Sequence, residues 1–522
     1  MERILNKAVK TREYLNEHYI EVRKDEFKDV CVYLYEKKNA MLRLMFATDE
    51  RQIDDTFRIY VVFSIPGIDK FYIIVLSLKD GDLTFPSITT HIPAAHWYER
   101  EIRDMFGLIP KGHPDLRRLV LHDSFPPNSY PLRKDWSISE NDLKEWGEGI
   151  KQKEPYNFMT VEGEGIYEIP VGPVHAGIIE PGHFRFSAVG ETIFFLEPRL
   201  FYTHKGTEKH FEAMTFFDGV RLAERVSGTS SFSHSAAYCM AVERMAGIEI
   251  TEKAKAIRTV LLELERLYNH IGDIGNICAG TGLQVGYAKG AIIKEKLMQL
   301  NERLTGSRYL RGVNVIGGVV KDVFSHADDI LSTIDTITEE YKELMKLLLG
   351  SVSHIDRLEN TGILSKEIAK RLGVTGIAAR ASGIYDDIRK AHPHLFYDRL
   401  EFEAHTRAKG DVFARMMVRA EEAECSISMI NTLLEVKHGD GLTVELRDIP
   451  SYASALGYTE TPRGSVFYWV MSDKDGKPLR LKLRSPSYCN WPAVPFAVHG
   501  NIVPDFPLCN KSFNLSYSGC DM

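Results

Sequence analysis

From Ala254 to Cys278, leucine and isoleucine recur at spacings of three and four through IRTVLLELERLYNHIGDIGNIC, a period that puts them on one face of a long helix. Val323 to Leu349 and Asp411 to Val436 carry the same period. Amphipathic helices of this length bury their apolar stripes against one another, so the second half of the chain is expected to contain a helical bundle.

The first part has another texture. Short β-rich runs, VCVYLYEK, AMLRLMFATD, RIYVVFSI and FYIIVLSLK, follow a helical opening from Leu5 to His18, which predicts a small α+β domain over residues 1–123. A polar, Pro-rich stretch containing FPPNSYPLRKDW reads as a linker over 124–158. Residues 159–522 form a mainly α-helical second domain that opens on a β-like segment, GIYEIPVGPVHAGIIEPGHFRFSAVGETIFFLEPRLFY. HPDLRR, His113 to Arg118, carries no nucleophile or paired acid and reads as a docking edge between subunits.

Charge narrows the partners. The chain has 65 Lys and Arg against 72 Asp and Glu, a net charge of -7, and no long run of one sign, which argues against nucleic acid. The opening lacks an apolar signal segment, and IYVVFSIPGIDKFYIIVLSL, among the most apolar stretches, is broken before it reaches the length of a spanning helix. A peripheral place on the cytoplasmic face of a membrane complex is therefore expected. Seven scattered cysteines without CxxC spacing predict neither a disulfide framework nor a zinc or iron–sulfur site held by this chain alone.

The stretch ERVSGTSSFSHS, Glu224 to Ser235, has the cadence of a metal loop with serines in place of thiols. Hydroxyls are weak, hard ligands, so nickel or iron would not be held by them. On these residues alone it reads as a Ser-rich helix cap with His234 a buried, satisfied histidine, or as a serine nucleophile with His234 as base but no orienting carboxylate. On the Ala254 helix, Glu263, Glu265, Arg266, His270 and Asp273 read as a solvated face or a partner contact. Asp386, Asp387 and Arg389 either line a proton path or cap a helix.

The loop resembles the first cysteine motif, C-G-x-C-x-x-x-H, of the [NiFe] hydrogenase large subunits, with Ser227 and Ser230 on the cysteines and His234 on the histidine. DFPLCNKSFNLSYSGCDM resembles the second motif, with Ser516 and Gly519 on the second cysteine pair, Cys520 one residue late and Cys509 seven residues early. HWYEREIRDMFGLIPKGHPDLRRLVL is similar to the signature of the 30 kDa subunit of respiratory complex I. GPVHAGIIEPGHFRF, LFYTHKGTEK, ARASGIYDDIRK and ETPRGSVFYWV resemble blocks of its 49 kDa subunit and of the hydrogenase relatives, so the chain looks like a fusion of the two, as in formate hydrogenlyase large subunits.

The resemblance implies a subunit of a membrane-associated oxidoreductase complex. Its [NiFe] cluster is expected to be absent, and no cofactor is expected on this chain. Electrons would come from an iron–sulfur small subunit, alongside other hydrophilic Fe–S subunits and antiporter-like membrane-arm subunits. The chain end at Met522 is expected to leave no tail for the cleavage that accompanies nickel insertion. Glu180 is placed on the carboxylate that passes protons in the hydrogenases and Arg463 on the arginine over the active site, expected as a buried set with a histidine nearby; the other reading is a structural ion pair. His175 and Tyr202 fall on the two residues that bind a quinone head group in complex I, which keeps quinone or another small acceptor open, although hydrogenases of this branch share both blocks. A catalytically silent coupling scaffold is the remaining alternative.

Overall fold

The computed structural model describes residues 2–122, 125–138, 144, 156–175 and 179–522. The first domain is built on a five-stranded sheet: β1 (Ala8–Tyr14), β2 (Glu17–Val22), β3 (Met41–Glu50), β4 (Thr56–Ser64) and β5 (Phe71–Lys79), in the order β1-β2-β5-β4-β3. Only β2 and β5 pair in parallel; the other pairs are antiparallel. Helices α1 (Lys24–Val32) and α2 (His96–Phe106) belong to this α+β unit.

Two expectations fail here. The opening is not a helix to His18, since only Glu2–Leu5 is helical and the β1–β2 hairpin follows. The exposed polar residues of β1, an edge strand, imitate a solvated helix face. VCVYLYEK is not a strand either; it continues α1 into a helical turn over Tyr33–Lys37. Phe27, Val30, Cys31 and Leu34 are buried at steps of three, one and three, which is one side of a helix, and that stripe outweighs the β-branched composition.

The second domain opens on an antiparallel sheet of β6 (Ile166–Val171), β7 (His183–Val189) and β8 (Thr192–Arg199). Helix α3 (Ser231–Met245) leads into the bundle of α4 (Glu252–Gly280), α5 (Gln284–Thr305), α6 (Ala327–Leu349) and α7 (Val412–Glu435). α5 packs on both α4 and α6, and α7 on α4. The α4–α5 crossing is close because glycines meet: a Cβ at Gly290 would stand 2.8 Å from the Gly275 Cα. A last sheet, β9 (Ser454–Thr461), β10 (Gly464–Ser472) and β11 (Pro478–Arg484), precedes α8 (Phe506–Phe513) and α9 (Tyr517–Asp521).

The two domains share one core. Trp469 of β10 packs against Phe46 and Tyr60 of the first sheet, at ring distances of 4.8 and 5.1 Å, and donates its indole N–H to the Tyr19 hydroxyl at 3.2 Å. HPDLRR does its joining within the chain: Arg117 bonds Asp115 and reaches Glu197 on β8 at 2.6 Å. Of the expected linker, residues 124, 139–143 and 145–155 lie outside the described residues. Its stretch 125–138 is held to the first sheet by the Lys134 amide on Asp49 (2.8 Å) and by the Arg51–Asp135 pair (2.9 Å). Among the described residues, no helix is long and apolar enough to cross a membrane.

Candidate functional site

The loop before α3 and the C-terminal helix α9 meet. Ser227 and Ser230 are buried on that loop, and the Ser227 hydroxyl donates to the Ser516 hydroxyl at 3.2 Å across 289 residues of sequence. Ser516 is the N-cap of α9 and accepts the Gly519 amide at 2.9 Å, as a serine at that position does. A Cβ at Gly519 would stand 3.3 Å from the Ser227 Cβ, so Ser227, Ser516 and Gly519 converge on one place. The Ser518 hydroxyl donates to the Val226 carbonyl (2.6 Å), and the Ser487 hydroxyl accepts the Ser516 amide (2.9 Å), closing the contact from two sides.

Arg463 ties both loops together from the two-residue turn between β9 and β10. Its guanidinium donates to the Asn514 carbonyl, two residues before Ser516, and to the Asn269 side chain at 3.2 Å. Asn269 in turn donates to the Thr229 carbonyl at 2.8 Å, inside the serine loop. Asp273, one turn further along α4, lies 3.6 Å from Arg463 and 3.3 Å from Arg419 of α7, and also accepts from the Asn514 side chain. The result is a fixed cation beside the hydroxyl cluster.

The other proposed residues are dispersed around this centre. His234 lies one turn into α3, buried, with Nδ1 at 2.8 Å from the Tyr468 hydroxyl; burial pushes its imidazole down to about 3, so it is neutral near pH 7. Glu180 is exposed rather than buried, because its loop lies at the surface, and it accepts the Ser518 amide at 2.9 Å. His175 is half-buried, with Nε2 at 2.7 Å from the Gly182 carbonyl. Tyr202 stands edge-on to His122 at 4.5 Å and lines a separate cleft with His183 and Arg185.

The charges of α4 are not a solvated face. Glu263, Glu265, Arg266 and His270 are fully buried and Asp273 nearly so, because α7 and the β9–β10 turn cover them. Glu265 accepts the Phe232 and Ser233 amides at 2.8 and 3.0 Å, satisfying the first turn of α3, and burial raises its carboxyl to about 7 against those bonds. Glu263 pairs with Arg266 (3.2 Å) and Arg389 (3.0 Å), and His270 with Glu422 (2.9 Å). Arg380 bridges Glu422 (2.7 Å) and Glu460 (2.8 Å). Burial works to raise the Glu422 carboxyl, but Arg380, His270 and Arg266 outweigh it and hold the group well below the carboxylate range. Asp387 caps a short helix through the Arg389 amide and also grips the Arg389 guanidinium at 2.7 Å, while Asp386 holds Arg43 of β3 with two bonds of 2.7 Å.

Sequence reasoning missed Asn269, Asp273, Asn514 and Asp521 as parts of the site. Asp521 is buried; one carboxylate oxygen accepts the Thr203 amide and hydroxyl, and burial raises the group to about 6. A signal was present for the first two: they sit four residues apart on α4, a spacing that puts both on one helix face.

A nickel–iron centre does not fit these donors. Ser227, Ser230 and Ser516 offer three neutral hydroxyls and Gly519 offers no donor atom, and soft metals of this kind prefer thiolates. Cys509 lies beside Gly362 and Arg415, with burial raising its thiol to about 11; burial also raises the Cys520 thiol well above its ordinary value, and Asp521 adds to that.

A helical bundle joined to an α+β domain, with its site between an early loop and the C-terminal helix, defines a large subunit of the hydrogenase and complex I type. The sequence pattern described as "Respiratory-chain NADH dehydrogenase, 30 Kd subunit" matches residues 20–142, and that of the 49 Kd subunit matches residues 281–451 and 442–522. The chain is 37% identical to Hydrogenase-4 component G of Escherichia coli (strain K12), over 94% of this chain and 86% of that one. It is 36% identical to Formate hydrogenlyase subunit 5 of the same strain, over 99% and 90%. A chain of the membrane-bound sulfane sulfur reductase, an archaeal respiratory membrane complex, superposes with a TM-score of 0.64 at 27% identity, covering 69% of this chain and 99% of that one. The chain belongs to the family that fuses the complex I 30 kDa and 49 kDa subunits and is related to the group 4 hydrogenases.

Proposed function

We propose that this chain is a nickel-free large subunit of a membrane-associated, multi-subunit oxidoreductase, and that a small acceptor is reduced at the cluster of Ser227, Ser230 and Ser516. The observation that carries the reading is the Ser227–Ser516 contact at 3.2 Å with Arg463 fixed beside it. Reduction builds negative charge on an acceptor, and a preorganised guanidinium in a water-poor site stabilises that charge without reorganising. Glu180, at the rim on Ser518, supplies protons.

Electrons enter from an iron–sulfur cluster in a neighbouring subunit. Antiporter-like membrane subunits couple the reaction to ion translocation, with this chain peripheral on the cytoplasmic face. The names of the relatives support such an assembly: one is a formate hydrogenlyase subunit, and the structural relative is part of a respiratory membrane complex.

The test is metal analysis of the purified complex together with hydrogen uptake and electron transfer to added acceptors. Iron without nickel and no hydrogen turnover is expected, with electron transfer lost in Arg463→Ala. Stoichiometric nickel with hydrogen turnover, or unchanged electron transfer in Arg463→Ala, overturns the reading.

A further inference from the structure

Asn514 closes a ring of side chains beside the serine cluster. Its carbonyl accepts from the Arg463 guanidinium, and its side-chain amide donates to Oδ1 of Asp273, the oxygen that lies 3.6 Å from Arg463. It thus bonds both partners of that ion pair. Two residues further on, Ser516 caps α9 and accepts from the Ser227 hydroxyl at 3.2 Å, so the turn that Asn514 makes also carries α9 to the loop. The backbone restricts which residue can stand here: Asn514 ends α8 in the left-handed region, at φ 49° and ψ 49°, and its N–H bonds the Asn510 carbonyl at 2.9 Å. Glycine enters that region without cost, and asparagine and aspartate enter it more readily than other side chains.

Glycine would keep the turn but has no side chain to hold Asp273. Aspartate would keep both the turn and the shape, but would set a second carboxylate against the first. The carboxylate that reaches Arg463 is Asp273, and it is shared with Arg419 at 3.3 Å. Glu422, the nearby acid on α7, is held by Arg380 at 2.7 Å and by His270 at 2.9 Å. Burial pulls the Arg419 guanidinium below its ordinary range; Asp273 and Glu422 oppose that fall, and Arg463 adds to it. Arg463 therefore meets one shared carboxylate, and an amide where a second carboxylate would fit.

We propose, resting on the reading of the serine cluster as an acceptor site, that Asn514 is the positioning residue that orients Arg463, and that its uncharged amide keeps this guanidinium available to the acceptor. Negative charge that develops on an acceptor is stabilised by a guanidinium that a second carboxylate has not already neutralised. Exchange of Asn514 for aspartate keeps the turn and the side-chain shape and changes only the charge.

The experiment pairs turnover with stability. In the assembled complex, Asn514→Asp is expected to lower kcat for an added acceptor about tenfold or more, with KM changed less, because the new carboxylate competes for Arg463 as charge develops. In the purified full chain, thermal midpoints are measured for Asp273→Asn, for Asn514→Asp and for the two exchanges together. The double exchange returns one carboxylate and one amide to the ring, so it is expected to recover about half or more of the fall seen in Asp273→Asn. A midpoint of the double exchange no higher than that of Asp273→Asn overturns the placement of Asn514 between Arg463 and Asp273. An unchanged kcat in Asn514→Asp, in a complex whose unaltered form is active, overturns the electrostatic role. An unaltered complex that reduces no acceptor overturns the functional reading and that role with it, and the midpoints still decide the ring.

Discussion

Arg463 and Asp273 face each other at 3.6 Å, one from a β-turn and the other from the C-terminal third of α4, and Arg419 holds the second oxygen of the same carboxylate at 3.3 Å. All three are at least nine-tenths buried. One carboxylate is therefore shared by two guanidiniums and places one of them beside the serine cluster.

Replacing Asp273 with Asn removes the carboxylate that both buried arginines share, which costs on the order of 3 kcal/mol. The thermal midpoint of the purified chain is expected to fall by several degrees. A midpoint equal to that of the unaltered chain would show that Asn269 and Asn514 suffice to hold Arg463.

The 3.2 Å approach of Ser227 and Ser516 is short enough for a cross-link once both are thiols. The unaltered chain has seven free cysteines. The double variant Ser227→Cys, Ser516→Cys is expected to lose two thiols on mild oxidation, counted after denaturation, and to recover them with reductant. A full thiol count after oxidation means that the loop and α9 do not meet in solution.

Glu265 links stability to pH. Its carboxyl is raised to about 7 in the folded chain, against about 4.5 unfolded, so its contribution is fully present below pH 4.5 and is lost as pH rises through 7. Between pH 5 and 8 the unaltered chain should lose about 1 to 3 kcal/mol that Glu265→Gln does not lose. Parallel midpoint-against-pH curves for the two proteins would rule this out.

Glu180 accepts the Ser518 amide, a bond that a glutamine oxygen also makes. Glu180→Gln therefore keeps the contact and removes only the proton site. Turnover of the assembled complex is expected to drop about tenfold or more, with a changed pH profile, if the group delivers protons. A normal rate with a normal profile leaves Glu180 as an anchor for α9.

Much of the organisation was legible in the residue order. The leucine and isoleucine period marked α4, α6 and α7, but α5 went unread because its glycines and lysines interrupt the stripe while Gly290 serves the crossing with α4. The β1–β2 hairpin was misread because an edge strand with outward charges has the composition of a helix surface. The ionic lattice was misread more seriously. Glu263, Arg266 and His270 have the same identity on a solvated helix as in a core, and only α7 and the β9–β10 turn make them buried.

The long helices, the β-rich front, the fusion of two subunit types and the serines at 227, 230 and 516 are all legible in the residue order. These follow from local periodicity and from residue identity, which need no knowledge of distant partners. It takes the folded chain to show that Ser227 touches Ser516, that Asp273 is shared by Arg463 and Arg419, that Glu180 is exposed and that His234 is engaged by Tyr468. Each of these depends on a contact across many tens of residues or more, and burial by a second layer is what turns a surface charge into a structural or chemical group.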